Sequence, residues 1–124
     1  MSERLSPHFT RQELACRHCG QLPPGGISRE LLDKLEALRA RVGRPIVVNS
    51  GYRCPEHNRA VGGAPKSQHL LGTAADIRVS GMDPVSLYVA AHGVGFRGLF
   101  LYDSFVHVDV RPEVASGDFR TQRR

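Results

Sequence analysis

The chain reads as a single α+β domain, and three observations carry that reading. Its 124 residues suffice for one modest hydrophobic core. Thirteen glycines and eight prolines, with no tryptophan, interrupt regular elements too often for a helical bundle and leave much of the chain in loops. Segments of helical period alternate with short β-branched runs, which together suit a small sheet with helices laid against it.

The elements follow in order. Thr10 can cap a short helix, with Glu13 reaching back and Phe9 stapling to Leu14, before "CRHCGQLPPGG" breaks it. Leu31, Leu32, Leu35, Leu38 and Val42 recur at helical spacing between an N-cap at Ser28 and a stop at Gly43. Pro45 introduces Ile46, Val47 and Val48, a buried strand ending at the Asn49-Ser50-Gly51 turn. "GYRCPEHNRAVGGAPKSQHLLG" then reads as a long polar loop, and loops of that length in compact domains carry function. Strand character returns from Ala74 to Val79. Asp83 and Pro84 open a helix through Leu87, Tyr88 and Ala91 that Gly93 should close, and "GLFLY" and "FVHVDV" read as two further strands. Internal repeats are absent. Residues 9–111 are expected to form the core of one domain spanning 1–124, with 112–124 a frayed basic tail.

Seventeen basic against 12 acidic residues give a net charge of +5, which favours an anionic partner. The basic residues are dispersed and no aromatic-plus-basic strand motif is present, so nucleic acid is not expected. No apolar run reaches the length of a membrane span, and "MSERLSPHFTRQEL" is too polar for a secretion signal. The expectation is a monomer, cytoplasmic as synthesised. Three cysteines, Cys16, Cys19 and Cys54, are too few and odd in number for a disulfide framework. The Cys-x-x-Cys pair could hold a zinc ion with Cys54 and His18 or His57, or form a redox pair; a structural tie between the N-terminal segment and the Cys54 loop is the favoured role.

In "FVHVDV" alternation puts Phe105, His107 and Asp109 on one face and Val106, Val108 and Val110 on the other. The valine face is the natural core face, so His107 points to a cleft. His69 and Asp76, in "SQHLLGTAAD", can meet it if the two strands are neighbours. Each residue alone would pass for a hydrogen-bonded structural group. Together, two imidazoles and a carboxylate form a three-ligand set with an open position, the pattern of a catalytic zinc site. His107 and Asp109 could also begin the triad of a non-haem iron oxygenase, but no histidine follows Asp109 to complete it.

"SQHLLGTAAD" resembles the Ser-x-His-x-x-Gly-x-Ala-x-Asp motif of the M15 zinc D,D-peptidases, whose fold is shared with the hedgehog signalling domain. "VNSGYR", "HNRAVGGAPKSQH" and "FVHVDVR" are similar to flanking motifs of the M15A D-alanyl-D-alanine carboxypeptidase branch, and the likeness runs from Phe9 to Arg111. The resemblance implies a hedgehog/D,D-peptidase-like fold, a small antiparallel sheet with helices on one face and a zinc cleft on the other. It implies that His69, Asp76 and His107 bind Zn2+. Arg53 would bind a substrate carboxylate or steady an oxyanion, which suits its planar charged fork. Ser67 would hydrogen-bond substrate or shape the loop, and Gly72 and Ala74 would avoid crowding the metal. The chain departs from the family at the general base, where Ser104 and Phe105 occupy the positions that hold an acid or a histidine elsewhere. Asp103 is then the expected base, with Asp109 the fallback or an orienting partner of His107. The implied activity is zinc-dependent hydrolysis of peptidoglycan stem peptides, by a D-alanyl-D-alanine carboxypeptidase or related endopeptidase that reaches the cell wall on release, as a phage or prophage lysin would. The alternative is a non-catalytic zinc-bearing binding module of the same fold.

Overall fold

The computed structural model describes residues 3–120. A small ribbon of β1 (Arg4–Ser6) and β2 (Phe9–Thr10) leads into the single-turn helix α1 (Arg11–Leu14). The expected capping box is present. Glu13 N–H donates to Thr10 Oγ1 at 3.3 Å, and Thr10 N–H donates to Glu13 Oε1 at 2.8 Å. Phe9 and Leu14 flank it, both fully buried. Helix α2 (Arg29–Val42) starts where Ser28 Oγ accepts from Leu31 N–H and ends at Gly43, which takes a left-handed φ of 69°.

Five strands form the main sheet: β3 (Val47–Ser50), β4 (Ala74–Arg78), β5 (Gly98–Leu101), β6 (Val106–Asp109) and β7 (Ala115–Asp118), in the order β3-β4-β6-β5-β7. All pairings are antiparallel except β5 with β7. Side chains at alternate positions divide the sheet. Ala75, Ile77, Leu99, Leu101, Val106 and Val108 join Leu31, Leu35 and Leu38 of α2 in the core, together with Leu87 and Ala91 of α4 (Pro84–Val94). Helix α4 packs on β5 and β6, and α2 packs on α4. Each fully buried leucine there contributes about 2 kcal/mol. The opposite face carries Asp76, Phe100 and His107. No helix among the described residues is long and apolar enough to cross a membrane.

Three expectations are corrected. The long connection after β3 is not a plain loop: it holds α3 (Pro55–Ala60) and a 3₁₀ turn, Gln68–Leu71. Pro55 opens α3 because the N–H it lacks would have no partner in a first turn. Helix α4 runs past Gly93 and closes at Gly95, where φ is 99°. Gly93 serves packing instead, since a Cβ there would meet the Arg41 guanidinium at 2.8 Å. Finally, the expected tail contains β7, whose flanks are tied by Ala115 N–H to Arg97 O and Phe119 N–H to Leu101 O. Its "ASGD" has weak strand propensity, and the hydrogen-bonding edge of β5 supplies the order. Arg120 pairs with Asp118, while Arg123 and Arg124 lie outside the described residues.

Candidate metal centre

Asp76 and His107 are directly opposed across the β4–β6 ladder, so strand pairing alone brings them together on the face away from the helices. His69 arrives from the 3₁₀ turn. Ser67 Oγ accepts from His69 N–H at 3.1 Å, and Gly72 ends the turn at a left-handed φ of 72°. Pro23 lies so close to Gly72 that a Cβ would meet its ring at 2.6 Å, a second reason for glycine there. The donor atoms of His69, Asp76 and His107 lie within 4.8 Å of one another.

Hydrogen bonds decide which ring nitrogens face inward. His69 Nδ1 lies 2.6 Å from the Gly51 carbonyl, which can only accept, so Nδ1 carries the proton and Nε2 turns its lone pair to Asp76 Oδ1 at 3.1 Å. His107 Nε2 lies 2.7 Å from Asp109 Oδ2 and Nδ1 lies 2.9 Å from the same Asp76 oxygen, so a metal taking Nδ1 leaves the ring proton on Nε2, where Asp109 accepts it. A neutral imidazole has one N–H, and both are already used. With both rings neutral and those protons turned outward, two lone pairs and a carboxylate oxygen converge, an arrangement that a cation satisfies. In the metal-free chain a proton on His107 Nδ1, facing Asp76, takes part of that role. Burial pushes Asp76 up, but hydrogen bonds and charge from His107 and His69 outweigh it and hold the carboxyl well below the usual range. Burial pushes His107 down, yet Asp109 and Asp76 together raise it above the ordinary value.

The three residues open onto a cavity of about 590 Å³, lined also by Arg53, Ser67, Tyr102 and Phe105. Arg53 Nη2 donates to Ser67 Oγ at 3.3 Å, and its backbone N–H donates to the His69 carbonyl at 3.1 Å. Its Nε is buried without a hydrogen-bond partner, and burial lowers the pKa of the group. A permanent cation is thus held beside the triad with donor capacity to spare.

A family model described as Peptidase M15 matches residues 7–109. This chain belongs to the M15 peptidases. It is 39% identical over 88 residues to the zinc D-Ala-D-Ala carboxypeptidase of Streptomyces albus G, covering 70% of this chain and 34% of that protein. It is 33% identical over 91 residues to the peptidoglycan L,D-endopeptidase MepK of Escherichia coli, covering 66% of this chain and 50% of MepK, and the Shigella flexneri MepK matches equally. The chain thus spans half or less of the length of these relatives. The family and its zinc-dependent relative indicate Zn2+ as the metal, and the candidate donor set of two imidazoles and a carboxylate fits it.

Behind the triad of this M15 chain stands a charged support. Asp109 is fully buried, and Arg111 clamps it with Nε to Oδ1 at 2.8 Å and Nη2 to Oδ2 at 2.6 Å. Burial pushes the Asp109 carboxyl up, but Arg111 and His107 hold it well below the usual range. Gly98, its register partner on β5, leaves the space that the carboxylate fills, since any Cβ there would overlap it. Arg111 in turn lies over the Phe100 ring, 5.2 Å from its centroid. Asp103 is exposed in the turn between β5 and β6 and is not among the residues lining the cavity.

Sequence reasoning did not identify Gly51, Gly98, Tyr102, Arg111 or Phe119, the last of which also lines the cavity, as parts of the site. Two of them left a signal. Arg111 follows Asp109 by two, just past the end of β6, where continued extended backbone would put it on the same face, and a glycine at the start of the apolar "GLFLY" run marks a close approach. Phe119 lies beyond the expected core, where nothing pointed to order.

Proposed function

We propose that this chain is a zinc-dependent peptidase that hydrolyses peptidoglycan stem peptides. The observation that carries the reading is the convergence of His69 Nε2, Asp76 Oδ1 and His107 Nδ1 at the floor of a cavity whose wall holds the Arg53 guanidinium. His69, Asp76 and His107 would hold the metal. Bound zinc supplies Lewis acidity, polarising a scissile carbonyl and acidifying water. Arg53 binds a terminal carboxylate with its planar fork, which favours removal of a terminal D-alanine over an internal cut, and Ser67 keeps that guanidinium in place. Asp109 acts through His107 by holding its proton on Nε2. Tyr102 lines the cavity and burial raises its pKa, so its phenol stays protonated as a donor for a developing oxyanion. With Asp76 and Asp109 both engaged, Asp103 is the carboxylate proposed to take the proton from attacking water, reaching in from the turn that carries Tyr102 and Phe105. The net charge of +5 suits an anionic cell-wall polymer.

One observation favours a second reading. Asp103 is exposed and does not line the cavity, which fits a zinc-bearing module of the same fold that binds wall peptides without cutting them. Mass spectrometry of purified stem peptides after incubation with the zinc-loaded chain separates the readings. Loss of one terminal alanine is the expected result. An internal cut would make the chain an endopeptidase, and intact peptides that nevertheless bind would support the binding module.

A further inference from the structure

Away from the cavity, a second group of metal-competent atoms meets where two distant segments lie side by side. Tyr52 N–H donates to the Leu14 carbonyl at 2.9 Å, and two residues on Cys54 N–H donates to Cys16 Sγ at 3.4 Å. All three cysteines are free thiols, and the Sγ atoms of Cys16, Cys19 and Cys54 lie within 4.8 Å of one another. Thiolates that share one zinc ion, each about 2.3 Å from it, stand no more than about 4.6 Å apart. We propose that Cys16, Cys19 and Cys54 bind a second, structural zinc ion that fastens the N-terminal segment to the segment following β3.

Two features beyond proximity point to a metal. Apolar packing does not account for the cluster, because Cys19 is exposed and Cys54 partly so. The backbone is also folded around the sulfurs. Cys16 Sγ receives Cys54 N–H at 3.4 Å, and Cys54 Sγ receives His57 N–H at 3.4 Å. Amides turned on the sulfur of a Cys-x-x-Cys turn favour the thiolate, the form that ligates. As thiolates, three sulfurs so close would repel one another unless a cation lay between them. His18 precedes Cys19 directly and His57 follows Cys54 by three residues; their rings stack in parallel with centroids 6.0 Å apart, and either could turn to supply imidazole at a fourth position.

The site would matter to the cavity without being part of it. Gly51, whose carbonyl orients His69, and Arg53 both lie in the clamped segment, and Gly51 packs so tightly on the Leu14 backbone that a Cβ would meet its carbonyl oxygen at 2.6 Å. Zinc at the thiols would therefore hold two residues that shape the first site.

Cobalt titration of the reduced, metal-free full chain tests the proposal, using His107→Ala so that the first site does not compete. One equivalent of Co2+ should develop thiolate-to-cobalt charge-transfer absorption in the near ultraviolet, and zinc should abolish it. Cys19→Ser, a change at an exposed position, should weaken that binding about tenfold or more, in line with loss of a metal ligand. The wild-type chain should show the same absorption, so the result does not depend on how any variant folds. No thiolate absorption in the reduced wild-type chain, or absorption unchanged in both Cys19→Ser and Cys54→Ser, would overturn the proposal. The thiol signal is independent of peptidase activity, so its failure and that of the first site are distinguishable.

Discussion

The two histidines of the candidate metal centre are held in opposite ways. His69 stands on a short 3₁₀ turn and is oriented by a neutral dipole, the Gly51 carbonyl. His107 stands on a central strand and is oriented by a buried carboxylate that Arg111 and the space above Gly98 keep in place. The dipole fixes a tautomer and little else. The carboxylate also makes the ring more basic, so the His107 side of the site should respond to charge and pH while the His69 side responds to the shape of its turn.

Asp76 is the point where the two sides join, and its removal should have the largest effect. Asp76→Ala is expected to remove about one zinc per chain by elemental analysis and to abolish hydrolysis, with α2, α4 and their core unaffected by circular dichroism. Full zinc retention in a background lacking the three cysteines would dissolve the comparison, because no shared ligand would then join the two sides.

Next in size is the proton-transfer step. Asp103→Asn should lower turnover about a hundredfold or more while zinc content stays normal. Unchanged turnover would remove Asp103 from the reaction.

Asp109→Asn sharpens the comparison itself. It should weaken zinc binding by roughly ten- to a hundredfold, with activity restored by excess zinc, because the ring loses orientation and basicity but keeps its nitrogen. Gly98→Ala should mimic it by displacing the carboxylate. A variant that keeps normal zinc affinity yet stays inactive would instead place Asp109 in the chemistry.

The smallest effect is that of pH. His107 is raised, so in the metal-free chain its contribution to stability is fully present below about 6.5, the ordinary histidine value, and is lost as pH rises through the higher folded value. Asp76 and Asp109 are lowered, so theirs is present above about 3.9, the ordinary aspartate value, and is lost as pH falls toward their depressed values. Metal-free melting temperatures should therefore peak in mild acid. Zinc affinity should run the other way and climb with pH, since binding must release the ring proton. An affinity flat between about pH 6 and 8 would mean that His107 carries no extra proton in the metal-free chain.

How much of this was legible in the sequence depended on whether the signal was local. The alternation in "FVHVDV" separated core valines from His107 and Asp109 correctly, because a strand's period of two is a local property. Capping at Thr10 and Ser28 was legible for the same reason. The grouping of His69, Asp76 and His107 was anticipated only on the condition that their strands pair, and the register that opposes Asp76 to His107 is a tertiary fact. What stayed hidden was order imposed from elsewhere. Residues 115–118 have little strand propensity and are ordered by the edge of β5. Gly93 has the residue type of a helix stop but lies beneath Arg41, two positions before the glycine that adopts the left-handed turn. Gly98 looked like the first residue of an apolar strand, and its role emerges only with Asp109 packed against it.

The central claim is that one ion sits between His69 Nε2, Asp76 Oδ1 and His107 Nδ1, with the other nitrogen of each ring turned away to its own support. Anomalous scattering at the zinc absorption edge, on crystals of the zinc-loaded chain, tests it directly. The account predicts a peak bonded to those three atoms at about 2.0–2.2 Å. A site without a peak, or a peak bonded to His107 through Nε2 with Asp109 swung aside, would contradict it.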